Sequence, residues 1–484
     1  DNQDGIDSYR FDGSGTSVLT LAGNNDIVGV VGYHFDNNGG GDGFTNYVAA
    51  GEDALTRIDI NGSNVVFNSD VNATRIEVNQ GGSLTFNANV DAAGGATILD
   101  LNNHNVALTL DDGVILTGSI VKDSDTDNAT ITFTGQANVT GNIGGGSGSV
   151  GQITLQGGAD DVEVNGSVTT DRVEFEAQTV FAVGGDLDLS QNTSGSAFNG
   201  IDFNDDAGTV QVRGDLIGIA GKAVATTDLD GSGTLTFLGD GVGTAQSVTG
   251  DLGADGAALG LVNIAGSTLS GAGRGFDTNP DVFAQVTVDG DIFANQIRMN
   301  IRNDNSTGST LILANGHNIT TDLIRSGQNG FGLVRFAGGT QTLTGDGGTS
   351  SVEFAEVEAG LAADDVTNFT ADLYTGRLEV GAGTVNLNTA SGASTVTNAN
   401  VDFTGAGTLN VNQGLIGSIN FASGSTVNLI NASSAVAGTG PANTLTGDRE
   451  ISGTFTTTGD TSAAGAGQGV INVDSSGTLS PTGG

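Results

Sequence analysis

Apolar and polar residues alternate in short bursts along the whole chain. Thr130-Ile131-Thr132-Phe133, Thr234-Leu235-Thr236-Phe237, Thr384-Val385-Asn386-Leu387, Thr408-Leu409-Asn410-Val411 and Thr426-Val427-Asn428-Leu429 put an apolar side chain at every second position and Thr or Asn between. A period of two predicts strands with one buried face. Gly, Asn, Asp and Ser bound the bursts, so turns interrupt the chain about every 8–12 residues. Helical periodicity is nearly absent, and a stretch such as residues 49–55 suits one helical turn at most.

The bursts themselves recur at long range. Thr130-Ile131-Thr132-Phe133, Val139-Thr140-Gly141-Asn142-Ile143-Gly144, Ile153-Thr154-Leu155 and Arg172-Val173-Glu174-Phe175 form one unit. A second runs from Thr234-Leu235-Thr236-Phe237 through Val248-Thr249-Gly250-Asp251-Leu252-Gly253 to Gln296-Ile297-Arg298-Met299. A third runs from Leu333-Val334-Arg335-Phe336 through Leu343-Thr344-Gly345-Asp346-Gly347 to Arg377-Leu378-Glu379-Val380, and Arg75-Ile76-Glu77-Val78 repeats the closing part near the start. A single strand group is too small to bury its own apolar face, and stacked coils give each strand a neighbour above and below. The pattern therefore predicts an all-β, elongated parallel β-helix (β-solenoid) with almost no α-helix. At roughly 20–25 residues and about 4.8 Å per coil, it makes roughly 20 coils and a rod on the order of 100 Å. Residues 1–50 are expected to form an N-terminal cap or docking segment. Residues 51–484 form the solenoid, with degenerate super-repeats at about 128–230, 231–328 and 329–400 and a Gly/Ser/Thr-rich end. Inward-facing Asn or Thr at turns can stack into ladders.

Composition narrows the function. With 55 acidic and 14 basic residues the net charge is −41, and Lys122 and Lys222 are the only lysines. Such a surface excludes nucleic acid, whose phosphates demand a basic partner, and excludes attraction to an anionic membrane. No apolar run is long enough for a transmembrane helix. The absence of Cys removes disulfides and thiolate metal sites. The chain opens at Asp1 without a basic-then-apolar leader, which reads as a processed or trimmed exported chain.

The string Val139-Thr140-Gly141-Asn142-Ile143-Gly144, followed by Ile153-Thr154-Leu155-Gln156-Gly157 and Gly166-Ser167-Val168, resembles the passenger domains of rickettsial outer-membrane-protein-B-type surface antigens, which are autotransporter passengers. The resemblance covers mainly residues 120–400. It implies a secreted β-solenoid on a Gram-negative surface, where such proteins build a surface layer and contribute to attachment. One departure from that family is that residues 475–484 show no aromatic-girdled barrel strands.

Candidate sites are few. His34, His104 and His317 are scattered, with His104 and His317 in similar Asn-rich turns, as expected for equivalent solenoid corners. The doublets Asp160-Asp161, Asp205-Asp206 and Asp364-Asp365 would put neighbouring carboxylates on opposite strand faces, so they make no acid–base pair, and no enzyme is expected. Asp123, Asp125 and Asp127, and likewise Asp228 and Asp230, have the odd-position oxygens of a calcium loop, but Thr134 and Gly239 stand where its bidentate Glu belongs. Weak calcium binding at these acidic turns is the candidate cofactor chemistry. Arg75, Arg172 and Arg377 each precede an outward Glu by two residues. They either pair with Glu77, Glu174 and Glu379 or reach acidic faces of a neighbouring molecule. Tyr33, Phe35, Phe44 and Tyr47 cluster among glycines in residues 31–47, and 269–280 interrupts the second unit. Both segments are candidate contact loops. Asn138 and Asn368 head Asn-X-Thr glycosylation triplets.

These features predict an extracellular structural protein of a bacterial surface that associates with copies of itself into a layer or filament. Coil ends without caps favour polymerisation, and divalent cations would bridge acidic faces. The alternative is an adhesin passenger whose displayed loop meets a host or neighbouring-cell surface. A polysaccharide-degrading β-helix enzyme would instead require several carboxylates and a cation to converge on one groove.

Overall fold

Alternation of buried and exposed positions gives the chain strands of two to eight residues, and where side chains are described the apolar faces turn inward. The structure is a computed structural model. It describes residues 56–429, apart from 62, 92–95, 103, 124–128, 147, 158–160, 192–199, 239–244, 266–283, 300–307, 388–395, 412–413, 417–418 and 423. Outside that range it describes only the short strands within 8–31 and 451–473. Among the described residues the strands pair in parallel, as Leu108 beside Ile131 and Val385 beside Leu409, with only isolated antiparallel bridges at tight turns such as Thr349 with Val352, and no helix occurs. The chain is a β-solenoid and divides into two compact units. One comprises Asp1–Ile219 with Val224–Thr234, and the other Ala220–Ala223 with Leu235–Gly484.

In the first unit each strand pairs with the strand three places later, so three rows of strands close one coil. The first row includes Arg57–Ile60, Arg75–Val78, Thr97–Asp100 and Gly118–Lys122. The second runs Asn64–Phe67, Gly82–Phe86, Val106–Leu110, Thr130–Phe133, Gln152–Leu155, Arg172–Phe175 and Gly200–Asp202. The third includes Val90–Asp91, Val114–Leu116, Ala137–Val139 and Asp161–Val164. Inward partners of the second row, Val65, Leu84, Leu108, Ile131, Ile153, Val173 and Ile201, are spaced 19 to 28 residues apart and are all buried. Like side chains stack between coils: the Phe67 and Phe86 rings lie 5.1 Å apart and nearly parallel, and Phe175 meets Phe203 at 5.0 Å. Inward threonines at corners do bond between coils, with fully buried Thr97 and Thr170 donating to the Ala73 and Val150 carbonyls.

The second unit keeps the stack but fuses strands around corners. Ile319–Ser326 and Thr340–Gly347 each serve two rows, as do Leu373–Val380 and Val396–Phe403. Gly345 makes one such bend, with φ +111° and an ideal Cβ position only 1.6 Å from the Thr321 carbonyl oxygen, so no other residue fits there.

Candidate interaction faces

Two outward rows of the second unit are chemically distinct. One row is charged: register places Arg335 beside Glu358, Glu358 beside Glu379 and Glu379 beside Asp402, while Glu356 lies beside Arg377. Stacked carboxylates at the spacing of adjacent strands, about 4.8 Å, repel one another. Arginine resolves this by reaching across coils. Arg377 donates to Glu356 of the preceding coil and to Asp402 of the following coil at 2.6 Å, and pairs with Glu379 of its own strand at 2.9 Å. Arg335 grips Glu358 through two nitrogens, a bidentate geometry that suits the planar guanidinium. Burial pushes the Glu356 carboxyl above its ordinary value, with Arg377 opposing the rise and Glu358 and Glu379 adding to it.

Similar clamps occur in the first unit. Arg75 pairs with Glu77 at 2.5 Å and with Asp100 one coil on, and Arg172 pairs with Glu174 at 3.0 Å and Asp202 at 2.6 Å. Arg57 lies 2.7 Å from Asp59 and 3.7 Å from Glu77. Burial also raises the Asp100 carboxyl; the Asn102 backbone N–H and Arg75 oppose it, and Asp123 adds to it. All three arginines of the motif thus pair with the Glu two residues on, and each also bridges to a neighbouring coil. The motif is not confined to one row, since Arg75 belongs to the first row and Arg172 to the second.

From Asn318 to Asn428 the other outward row of the second unit is made of amides and hydroxyls, and Asp291 and Asp251 precede them. Asn386 donates to Asn368 at 2.7 Å, Asn410 to Asn386 at 2.6 Å and Asn428 to Asn410 at 2.8 Å. The column extends backward. Backbone N–H groups of Asp291, Asn318 and Thr342 donate to the side-chain oxygens of Asp251, Asp291 and Asn318, and the Asn368 amide reaches the Thr342 hydroxyl at 3.3 Å. Every link donates from a later coil to an earlier one. These asparagines are half-buried, lie within strands and face outward, apart from the inward turn positions at which ladders were expected. The first unit has a shorter counterpart: Asn142 accepts from the Ser167 N–H at 2.8 Å, and the Asn142 N–H donates to Ser119 at 3.0 Å.

The remaining candidates are dispersed. Asp125, Asp127, His34, Asp160, Tyr33, Phe35, Phe44, Tyr47 and residues 269–280 lie outside the described residues. Asp228 and Asp230 sit on an exposed turn, with the Asp228 N–H bonded to the Asn204 carbonyl; Asp123 makes the matching bond to Asn102. Among the described residues no three His, Asp or Glu side chains form a metal-binding group. His104 and His317 occupy matching turns, each N–H bonded to the carbonyl three residues earlier, and His317 also lies 3.0 Å from Asp289. Asp364 is exposed, whereas Asp365 is buried and accepts from the Gly339 and Ala362 N–H groups. Among the described residues no helix is long and apolar enough to cross a membrane.

Sequence reasoning missed Asp100, Asp202, Glu356 and Asp402 as arginine partners. Coils of unequal length hide which residues share a register position, and only the local Arg-X-Glu spacing is visible in the sequence. No protein-family model, curated protein or solved structure matches the chain.

Proposed function

We propose that this chain is an extracellular structural protein of a bacterial surface, a passenger-type β-solenoid that associates with copies of itself into a layer or filament. The observation that supports it best is the recurrence of the same outward chemistry at the same register position from coil to coil, as at Asn386, Asn410 and Asn428. A surface that repeats along its length suits a partner that repeats likewise. The arginines and carboxylates that do converge hold one another across coils, which is a reading of stabilisation rather than catalysis. At a net charge of −41, copies repel unless cations bridge them or they meet through uncharged surface.

Negative-stain electron microscopy of the purified chain, with calcium and with chelator, tests this proposal. Ordered sheets or filaments support it, and their dissolution by chelator assigns the cohesion to cation bridges. Isolated particles in both conditions at high protein concentration overturn it in favour of an adhesin that acts as a single molecule.

A further inference from the structure

The amide row of the second unit differs from its surroundings in charge. Across the strands Val366–Phe369, Thr384–Leu387, Thr408–Val411 and Thr426–Leu429, the described outward side chains are Val, Thr and Asn, with no ionisable group among them. The neighbouring charged row presents Glu356, Glu358, Glu379 and Asp402 over the same coils. Thr384, Thr408 and Thr426 are in register with one another, and so are Asn386, Asn410 and Asn428. Two side-chain columns therefore run side by side up a strand face of regular pitch.

We infer that this face is where a second copy of the chain docks, face to face, with its own amide row. The inference rests on the self-assembly proposed above and names the surface responsible. Two arguments favour a second copy as the occupant. First, electrostatics: two chains of charge −41 meet at least cost through faces that bear no charge. Second, pitch: identical Thr and Asn columns on stacked strands match each other's repeat automatically, and paired sheets with stacked asparagines form close interfaces of this kind. Area sets the strength of the contact: four strands of four residues span only a few hundred Å². That is well below the ~800 Å² per partner of a stable pair. The contact is therefore reversible, and gains strength by repetition in an array. The neutral stretch of the first unit is less regular: Ala107 and Gln152 interrupt its Ser and Thr column, and the Gln152 amide turns toward Glu174.

The test is sedimentation equilibrium on the full chain, paired with electron microscopy, comparing the wild type, Thr384→Glu/Thr408→Glu, and Ser350→Glu. Ser350 lies on an exposed turn away from the face and serves as the charge control. The expected result is at least a tenfold weaker association for the double variant, no change for Ser350→Glu, and an unchanged far-ultraviolet spectrum for both. Association of the double variant equal to wild type overturns this inference alone and leaves self-assembly standing through another surface. A wild type that stays monomeric throughout overturns both readings. If it is nevertheless retained on an insoluble neutral polysaccharide and the double variant is not, the face belongs to a glycan instead. Should the double variant misfold, Thr426→Gln, which enlarges the side chain without charge, is expected to weaken association several-fold; unchanged association there again overturns the inference.

Discussion

In the first unit, one row begins uncharged at Asn64 and Ser83 and becomes charged at Arg172, Glu174 and Asp202; in the second, charge and neutrality occupy separate rows over the same coils. The first unit also ends its strands at most corners, whereas the second bends single eight-residue strands through them. The consequence is local. Arg172 serves two carboxylates, while Arg377 holds three on three successive coils. Gathering like charges on one row leaves the adjacent strands between Val366 and Leu429 neutral. It also concentrates repulsion where only an arginine can relieve it.

The sharpest way to break this comparison is at the bends. Gly345→Ala puts a Cβ into the Thr321 carbonyl oxygen and is expected to destabilise its coil by at least ~3 kcal/mol. Gly376, in the bent strand Leu373–Val380, leaves 3.2 Å to the nearest atom and has no positive φ; Gly376→Ala is expected to stay within about 1 kcal/mol. Amide hydrogen exchange, read coil by coil, measures both. Similar losses at the two sites would show that the bends do not depend on glycine geometry.

Next come the clamps. Arg377→Gln strands three carboxylates and is expected to cost about 1–2 kcal/mol, with Arg172→Gln costing about half that, since both guanidiniums are partly exposed and screened. Protection should fall mainly in the coils bearing Glu356, Glu379 and Asp402 for the first, and in those bearing Glu174 and Asp202 for the second. Equal effects would mean that the number of coils bridged is irrelevant. Smaller again is Asn410→Ala, which removes one ladder bond on each side, for an expected loss of about 1 kcal/mol confined to the adjacent coils.

Much of this architecture was legible in the sequence. Alternation at Thr130-Ile131-Thr132-Phe133 and Thr408-Leu409-Asn410-Val411 fixed which side chains turn inward, and the Arg-X-Glu spacing exposed half of each clamp. The other half depends on register between coils. Arg75 and Asp100 are 25 positions apart and Arg172 and Asp202 are 30 apart, so a fixed period finds neither partner. The outward asparagine ladder within the strands was missed for a related reason. An Asn beside a turn suggests an inward corner, yet in Thr-X-Asn-X strands the parity of the flanking Leu and Val puts it outside.

The finest discrimination between the charged rows lies in pH. Asp100 in the first unit and Glu356 in the second are both held above their ordinary values, chiefly by burial. A carboxyl that binds its proton more tightly in the folded chain contributes most to stability below its unfolded value, and this contribution is lost as pH rises through the raised folded value. At neutral pH both groups are thus mildly destabilising. A neutral isostere removes that burden, so Glu356→Gln should increase protection of its coil at neutral pH despite losing its charge pairing with Arg377. The advantage should shrink as pH falls from the raised value toward the ordinary value of 4.5, because the wild-type carboxyl then becomes neutral as well. Asp100→Asn should behave alike in the first unit, but less so, because in the wild type the Asn102 N–H already stabilises the ionised carboxylate and offsets part of the cost of burial. Hydrogen exchange of the two variants against wild type across that range reads the sign directly. A coil that loses protection at neutral pH on Glu356→Gln would show that the Arg377 pairing outweighs burial, and that the charged row of the second unit is held by its ions rather than strained by them.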